Sequence, residues 1–135
     1  MRGLFVIVGL ALASLAGACA TSATIQQAPL SQGVSREYEH DFATVREAAR
    51  ATIQSDMPVG LRSVEERDGA YIFNFEIGVS AFSWGEVGRV VVAPVDADTT
   101  RLTLYSQKRD QLQVTGHGQR DLSERLFAGV DGRLR

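Results

Sequence analysis

Few side chains in this sequence belong to the types that perform catalysis or bind metal ions. The two histidines, His40 and His117, are far apart along the chain. His40 and the adjacent Asp41 could join His117 as zinc ligands, but so scattered a set is weak evidence for a metal site. His117 lies in the glycine-containing segment 115–118 and could act as a general base, yet no partner nucleophile is identifiable. We therefore predict a protein that is not an enzyme and that has no metal site and no cofactor.

Cys19 is the only cysteine, which excludes an intrachain disulfide and a cluster of thiolate ligands. It follows one basic residue, Arg2, an apolar run over residues 4–15 and a short stretch of small residues. A basic start, an apolar centre and a small-residue end are typical of a secretory signal peptide. The uncharged stretch 3–20 only just reaches the length that spans a bilayer, so an uncleaved membrane anchor is the alternative.

The residues around Cys19 resemble a known processing signal. Leu15-Ala16-Gly17-Ala18-Cys19 resembles the bacterial lipobox, although Ala16 stands where that family usually has leucine. The resemblance implies that Cys19 is diacylated and becomes the first residue of the mature protein, which then contacts the membrane through its lipid. Ala20 follows in place of the aspartate typical of inner-membrane lipoproteins, which implies the periplasmic face of the outer membrane. The same small residues also permit ordinary secretory cleavage, with a soluble periplasmic protein as the alternative.

The composition divides the chain into three segments. We assign residues 1–18 to the signal peptide, residues 19–34 to a lipidated tether and residues 35–135 to a single domain. The tether is uncharged and rich in Thr, Ser, Gln and Pro, so we expect no regular structure there. The formal net charge of −2 offers no basic face, so nucleic acid is not an expected partner.

Two helices are predicted within the domain. Asp41 is a candidate N-cap for a helix whose apolar face repeats every three or four residues, and Met57-Pro58 and Gly60 end it. Its predicted face consists of Phe42, Val45, Ala49, Thr52 and Ile53. A second helix is predicted over residues 119–134, with Asp121 and Glu124 at the spacing of a capping box. Its predicted face consists of Leu122, Leu126, Phe127, Val130 and Leu134.

The β-strands are indicated by alternation and by turn residues. Residues 34–40 form a weak first strand, and Asp68-Gly69 favours a two-residue hairpin turn that would place Val64 opposite Phe73 and Glu66 opposite Tyr71. Further strands are expected over residues 87–95 and 100–107, the latter with Leu102 and Leu104 facing inward. The predicted fold class is α+β: an N-terminal signal helix, then one antiparallel sheet of about five strands, with one helix after the first strand and the C-terminal helix packed on the same face.

This order of elements resembles small bacterial lipoproteins of uncharacterised function and a shortened helix-grip (START-like) domain. Larger helix-grip proteins hold apolar ligands between the sheet and the C-terminal helix. The resemblance therefore implies an alternative function, in which the protein carries a small apolar molecule there. A domain of about 100 residues has few apolar side chains to spare, which favours a filled interior.

Four aromatic side chains are candidate contacts for a ligand or partner. Phe73 and Phe75 share one face of a predicted strand, where they form either core or a ligand wall. Phe82 and Trp84 lie in the connection between two strands, where they either fold back over the core or dock a partner. We predict a non-catalytic binding or interaction module of the cell envelope, whose partner is an envelope protein or an apolar small molecule.

Overall fold

The computed structural model describes residues 20–135; the predicted signal helix and Cys19 lie outside the described residues. A five-stranded antiparallel sheet has the strand order β1-β5-β4-β3-β2, which confirms the predicted α+β fold. The elements in chain order are α1 (Ser22–Gln27), β1 (Val34–Tyr38), α2 (Phe42–Ser55), β2 (Gly60–Arg67), β3 (Ala70–Ile77), β4 (Glu86–Pro94), β5 (Thr100–Lys108) and α3 (Gly118–Arg133).

The β2–β3 hairpin forms as its turn residues predict. Asp68 and Gly69 have φ angles of 53° and 77°, the positive values that a tight hairpin turn requires. Val64 pairs with Phe73 and Glu66 pairs with Tyr71, so the predicted register is confirmed. This register determines which side chains of β3 face the helices.

Helices α2 and α3 pack together on one face of the sheet, and the main core lies between them and β3, β4 and β5. The Asp41 carboxylate accepts a hydrogen bond from the Thr44 backbone N–H at 3.3 Å, which confirms the predicted N-cap. Gly129 faces α2: a Cβ added there would lie 2.9 Å from Asp56 Oδ2 and 3.0 Å from Thr52 Oγ1. A glycine at this position therefore lets the two helices approach closely.

The N-terminal segment differs from the expectation of an unstructured tether. Residues 22–27 form α1, and the segment lies on the face of the sheet opposite α2 and α3, here called the outer face. Ile25 is 1% exposed and packs with Ala20, Val87 and Tyr105. Because β4 is covered on both faces, its sequence is an almost continuous apolar run instead of an alternation.

Arg89 attaches this segment to the sheet from the middle of β4. Its side chain is fully buried, and its guanidinium donates hydrogen bonds to the carbonyl oxygens of Ile25 at 2.7 Å, Ala28 at 2.9 Å and Pro29 at 2.5 Å. The Ala28 carbonyl thus gains a charged donor, and the Ile25 and Pro29 carbonyls gain one in addition to the backbone N–H groups that they already accept from. Burial lowers the pKa of Arg89 from its ordinary value, as expected for a cation removed from water.

Candidate interaction surface

The structure separates the four candidate aromatic residues into two pairs. Phe73 and Phe75 are 0% and 2% exposed and belong to the main core. Phe73 shares that core with Leu126 and Val130 of α3, which are also fully buried. The space between the sheet and the C-terminal helix is therefore filled by the protein's own side chains where a carrier would hold its ligand.

Phe82 and Trp84 instead project from the β3–β4 connection, where they are 84% and 64% exposed. They do not fold back over the core. The β5–α3 connection lies alongside and contributes Leu112 and Val114, which are 89% and 92% exposed. Together with Val79, these four residues form the loop patch, an apolar surface around a groove of about 600 Å3.

Sequence reasoning missed Leu112 and Val114, because they lie in no periodic element. Two large aliphatic side chains within the otherwise polar run of residues 106–121 were the available signal. Residues of this kind are costly to leave in water, and a contiguous exposed group of them marks an interaction site more often than a single one does.

Gln113 joins the two connections beneath the apolar tips. Its side-chain oxygen accepts a hydrogen bond from the Trp84 backbone N–H at 2.9 Å, and its Nε2 donates to Ser83 Oγ at 2.8 Å. The same Nε2 donates to the Thr115 carbonyl at 2.9 Å, and the Thr115 hydroxyl donates to the Phe82 carbonyl. Both polar ends of one glutamine are thus used to hold the loops in register while their apolar side chains point outward.

Glu86 connects the second loop to the first residue of β4. Its side chain is fully buried, and its carboxylate accepts hydrogen bonds from the backbone N–H groups of His117 at 2.7 Å and Gly118 at 3.1 Å. The predicted capping box of Asp121 and Glu124 is therefore wrong: α3 begins earlier, its N-cap is His117, and a carboxylate from another element caps it. An anion at a helix N-terminus is favoured by the unpaired N–H groups there.

The N-terminal end of the described chain lies beside the loop patch. The Ala20 backbone N–H donates to the Arg109 carbonyl at 3.3 Å, and Ala20 is 5% exposed. A second groove, of about 440 Å3, is lined by Ala20, Thr21, Val79, Trp84, Arg109 and Asp110. Ala20, which directly follows the predicted lipidation site, therefore shares a groove with two members of the loop patch.

The two histidines lie at opposite ends of β5. The His40 carbonyl accepts a hydrogen bond from Thr100 at the start of the strand, whereas His117 bonds to Glu86, which pairs with Lys108 at its end. Nine residues of extended strand separate the two ends by about 25 Å. His40, Asp41 and His117 cannot share one metal ion in this arrangement, and residues 20–135 contain no other group of three His, Cys, Asp or Glu placed to hold one.

The His117 side chain pairs with a neighbouring carboxylate on α3. His117 Nδ1 lies 2.8 Å from Asp121 Oδ2, and Arg125 Nε donates to the same oxygen at 3.0 Å. Arg125 first and His117 second lower the pKa of the Asp121 carboxyl from its ordinary value. Asp121 thus contacts two side chains at the surface, His117 and Arg125. A carboxylate with such partners in the first turn stabilises the start of α3.

Charged groups border the loop patch without adding a net positive field. Arg109 donates to Glu76 at 3.1 Å, and Lys108 Nζ donates to the Gln113 carbonyl at 3.4 Å. Among residues 20–135, Asp110 is the only charged residue that lines the groove of the loop patch. The loop patch is therefore chiefly apolar.

Within residues 20–135, no helix combines the length and the apolar character needed to cross a membrane. No known protein family matches this chain, and no characterised protein matches it at a significant level.

Proposed function

We propose that this chain is a lipid-anchored protein of the bacterial cell envelope, attached through Cys19 to the periplasmic face of the outer membrane. In this proposal the domain is a non-catalytic interaction module, and the loop patch is its contact surface. The observation that carries the proposal is the exposure of Val79, Phe82, Trp84 and two further large apolar side chains at one end of the sheet.

The construction of the loop patch supports a role in binding. Gln113 and Thr115 hydrogen-bond across the two loops, so the apolar tips are presented on an ordered support. Ordering a surface before it binds reduces the entropy lost on association. The core would have gained stability from burying Phe82 and Trp84, yet the structure keeps both in water.

The sequence around Cys19 supports the anchoring half of the proposal. Two or three acyl chains contribute roughly 0.8 kcal/mol for each methylene that enters the bilayer, which is enough to hold a small domain there stably. The carrier alternative lacks comparable support, because Phe73, Leu126 and Val130 fill the space in which an apolar ligand would lie.

Replacing the lipidation site tests the anchor. We expect Cys19→Ser to move the protein from the membrane fraction to the soluble fraction, or to leave it with its signal peptide uncleaved. Fractionation of cells followed by immunoblotting measures both outcomes. Normal cleavage with unchanged membrane association would contradict lipid attachment.

Site-specific photo-crosslinking in intact cells tests the contact surface. A photo-reactive amino acid at Leu112 should give adducts, whereas the same amino acid at Val95 should not. Val95 is also exposed, but it follows the far end of the nine-residue strand β4, about 30 Å from the loop patch. Equal labelling from the two positions would show that the loop patch has no preferred contact.

A further inference from the structure

We propose that the partner of the loop patch is the lipid surface itself: its apolar side chains enter the headgroup–acyl boundary of the leaflet that holds the Cys19 lipid. The domain then lies on the membrane in one orientation. This inference rests on the proposed lipid anchor and adds to it the identity of the surface that the loop patch contacts.

The proposed anchor lies close to the loop patch. Cys19 is bonded to Ala20, and consecutive Cα atoms are about 3.8 Å apart. Ala20 is buried, is hydrogen-bonded to Arg109 and shares a groove with Val79 and Trp84. A lipid on Cys19 therefore begins within one residue of the apolar surface.

The segment that was expected to be a flexible tether is instead held on the sheet. Residues 22–27 are helical, and Arg89 binds three carbonyl oxygens between Ile25 and Pro29. A flexible linker of this length would let the domain rotate freely beneath its anchor. Because the segment packs on the sheet instead, the end of the domain that carries the loop patch must stay close to the leaflet.

The side chains of the loop patch are of the types that favour a membrane–water boundary. Tryptophan is enriched at membrane–water boundaries, because its ring is apolar and its N–H can bond to headgroups or water. Phe82, Leu112 and Val114 supply apolar side chains next to Trp84, as in proteins that lie in the interface without crossing the bilayer. Arg109 and Asp110, at the edge of this surface, cancel in charge, so a zwitterionic membrane should suffice.

Three acidic residues in turns agree with this orientation, whereas Asp110 lies at the loop patch itself. Asp68, Asp96 and Asp98 lie in the β2–β3 and β4–β5 turns, at the end of the sheet opposite the loop patch. A domain anchored by the loop-patch end keeps these carboxylates in water, where their charge is cheaply solvated.

Trp84 is the only tryptophan in the chain, so its fluorescence reports on the loop patch directly. The full lipidated protein is reconstituted in phosphatidylcholine vesicles, with or without bromine atoms on the acyl chains. We expect blue-shifted emission and strong quenching by the brominated lipid. The matched control combines Trp84→Phe with Val95→Trp; it should float with the vesicles equally well but show little quenching.

A second variant separates insertion from mere proximity. Replacing Phe82 and Leu112 by serine should lower the ratio of docked to undocked domain by about tenfold for each side chain, so quenching of Trp84 should fall toward that of the Val95→Trp control. Both side chains are exposed, so folding should be unaffected; circular dichroism checks this.

The outcomes distinguish the two proposals. Protein that floats with the vesicles while Trp84 stays unquenched would overturn membrane docking and leave the anchor standing. If the emission of Trp84 then changes with protein concentration, a second copy of the chain covers the loop patch; if it changes on adding envelope proteins, one of those does. If the protein purified from the membrane fraction carries no acyl chains, the proposed anchor is wrong.

Discussion

Replacing Arg89 by methionine should release the N-terminal segment from the outer face of the sheet and leave the core between sheet and helices intact. Methionine has a similar length and no charge, so it can fill part of the vacated space. Of the three carbonyl oxygens that now accept from the guanidinium, that of Ala28 would lose its donor, whereas those of Ile25 and Pro29 would keep one backbone N–H each, at 3.3 and 2.9 Å. The Ala28 carbonyl then regains a hydrogen bond only by moving into water, and the other two carbonyls lose the stronger, charged donor.

The magnitude follows from these contacts. A hydrogen bond from a charged donor contributes about 1.5–3 kcal/mol, so three contribute about 5–9 kcal/mol before dehydration is subtracted. Burying a guanidinium costs several kcal/mol, so about 3 kcal/mol remains as the net loss. An opening equilibrium that shifts by this amount changes about 100-fold.

Amide hydrogen exchange, read by mass spectrometry of peptides, is the appropriate assay. Exchange of residues 22–28 should accelerate about 100-fold in Arg89→Met, whereas exchange in β5 and α3 should change little. Arg101→Met is the matched control, because Arg101 is exposed and, within the described part of the chain, pairs with Glu37 alone, at 2.6 Å on the surface. A pair of this kind contributes at most about 1 kcal/mol.

Equal protection of residues 22–28 in Arg89→Met and in the wild type would show that Arg89 does not hold the segment on the sheet. Apolar packing of Ile25 would then suffice to hold the segment. Arg89→Lys adds a further check: it keeps the charge but loses the planar fork that reaches several carbonyls, so its effect should lie between those of the wild type and Arg89→Met.

Three further predictions follow from the helix contact, the loops and the ion pairs. Gly129→Ala should lower the free energy of unfolding in urea by about 1–3 kcal/mol, because the new methyl group overpacks against α2; Gly132→Ala, with open space around it, should raise it by up to about 1 kcal/mol. Equal effects would contradict this. Gln113→Ala should speed proteolysis within the two loops, because it unlinks them, without changing the urea midpoint; an unchanged cleavage pattern would argue against their linkage. Arg133 lowers the pKa of the Asp56 carboxyl below its ordinary value of 3.8. The stabilisation of the fold by this ion pair is therefore present above pH 3.8 and is lost as the pH falls through the folded-state pKa. Asp56→Asn should flatten the acid side of the pH–stability curve, and an unaltered curve would show that the pair contributes nothing.

Local signals in the sequence were sufficient for most of the fold. The two-residue turn requires positive φ angles, which Asp68-Gly69 adopts more readily than most residue pairs. The turn and the register of β2 against β3 could therefore both be predicted. Asp41 and the three- to four-residue spacing after it defined the start of α2 for a similar reason. These features depend on contacts between residues that are close along the chain.

The features that could not be predicted depend on residues far apart in sequence. Nothing within residues 20–34 indicates that they pack on the sheet; the available signal was Arg89, a charge inside the apolar run of β4, which needs buried acceptors from another segment. The cap that Glu86 provides for α3 spans more than thirty residues and has no local pattern. Leu112 and Val114 become part of an apolar surface because their loop lies beside Phe82 and Trp84.

The intact mass of the protein extracted from bacterial membranes shows whether Cys19 carries a lipid. We expect one species that begins at Cys19 and carries the added mass of a diacylglyceryl group, with or without a third acyl chain. A species cleaved at another residue without lipid would contradict it in favour of a secreted protein. A species that retains residues 1–18 would contradict it in favour of an uncleaved anchor.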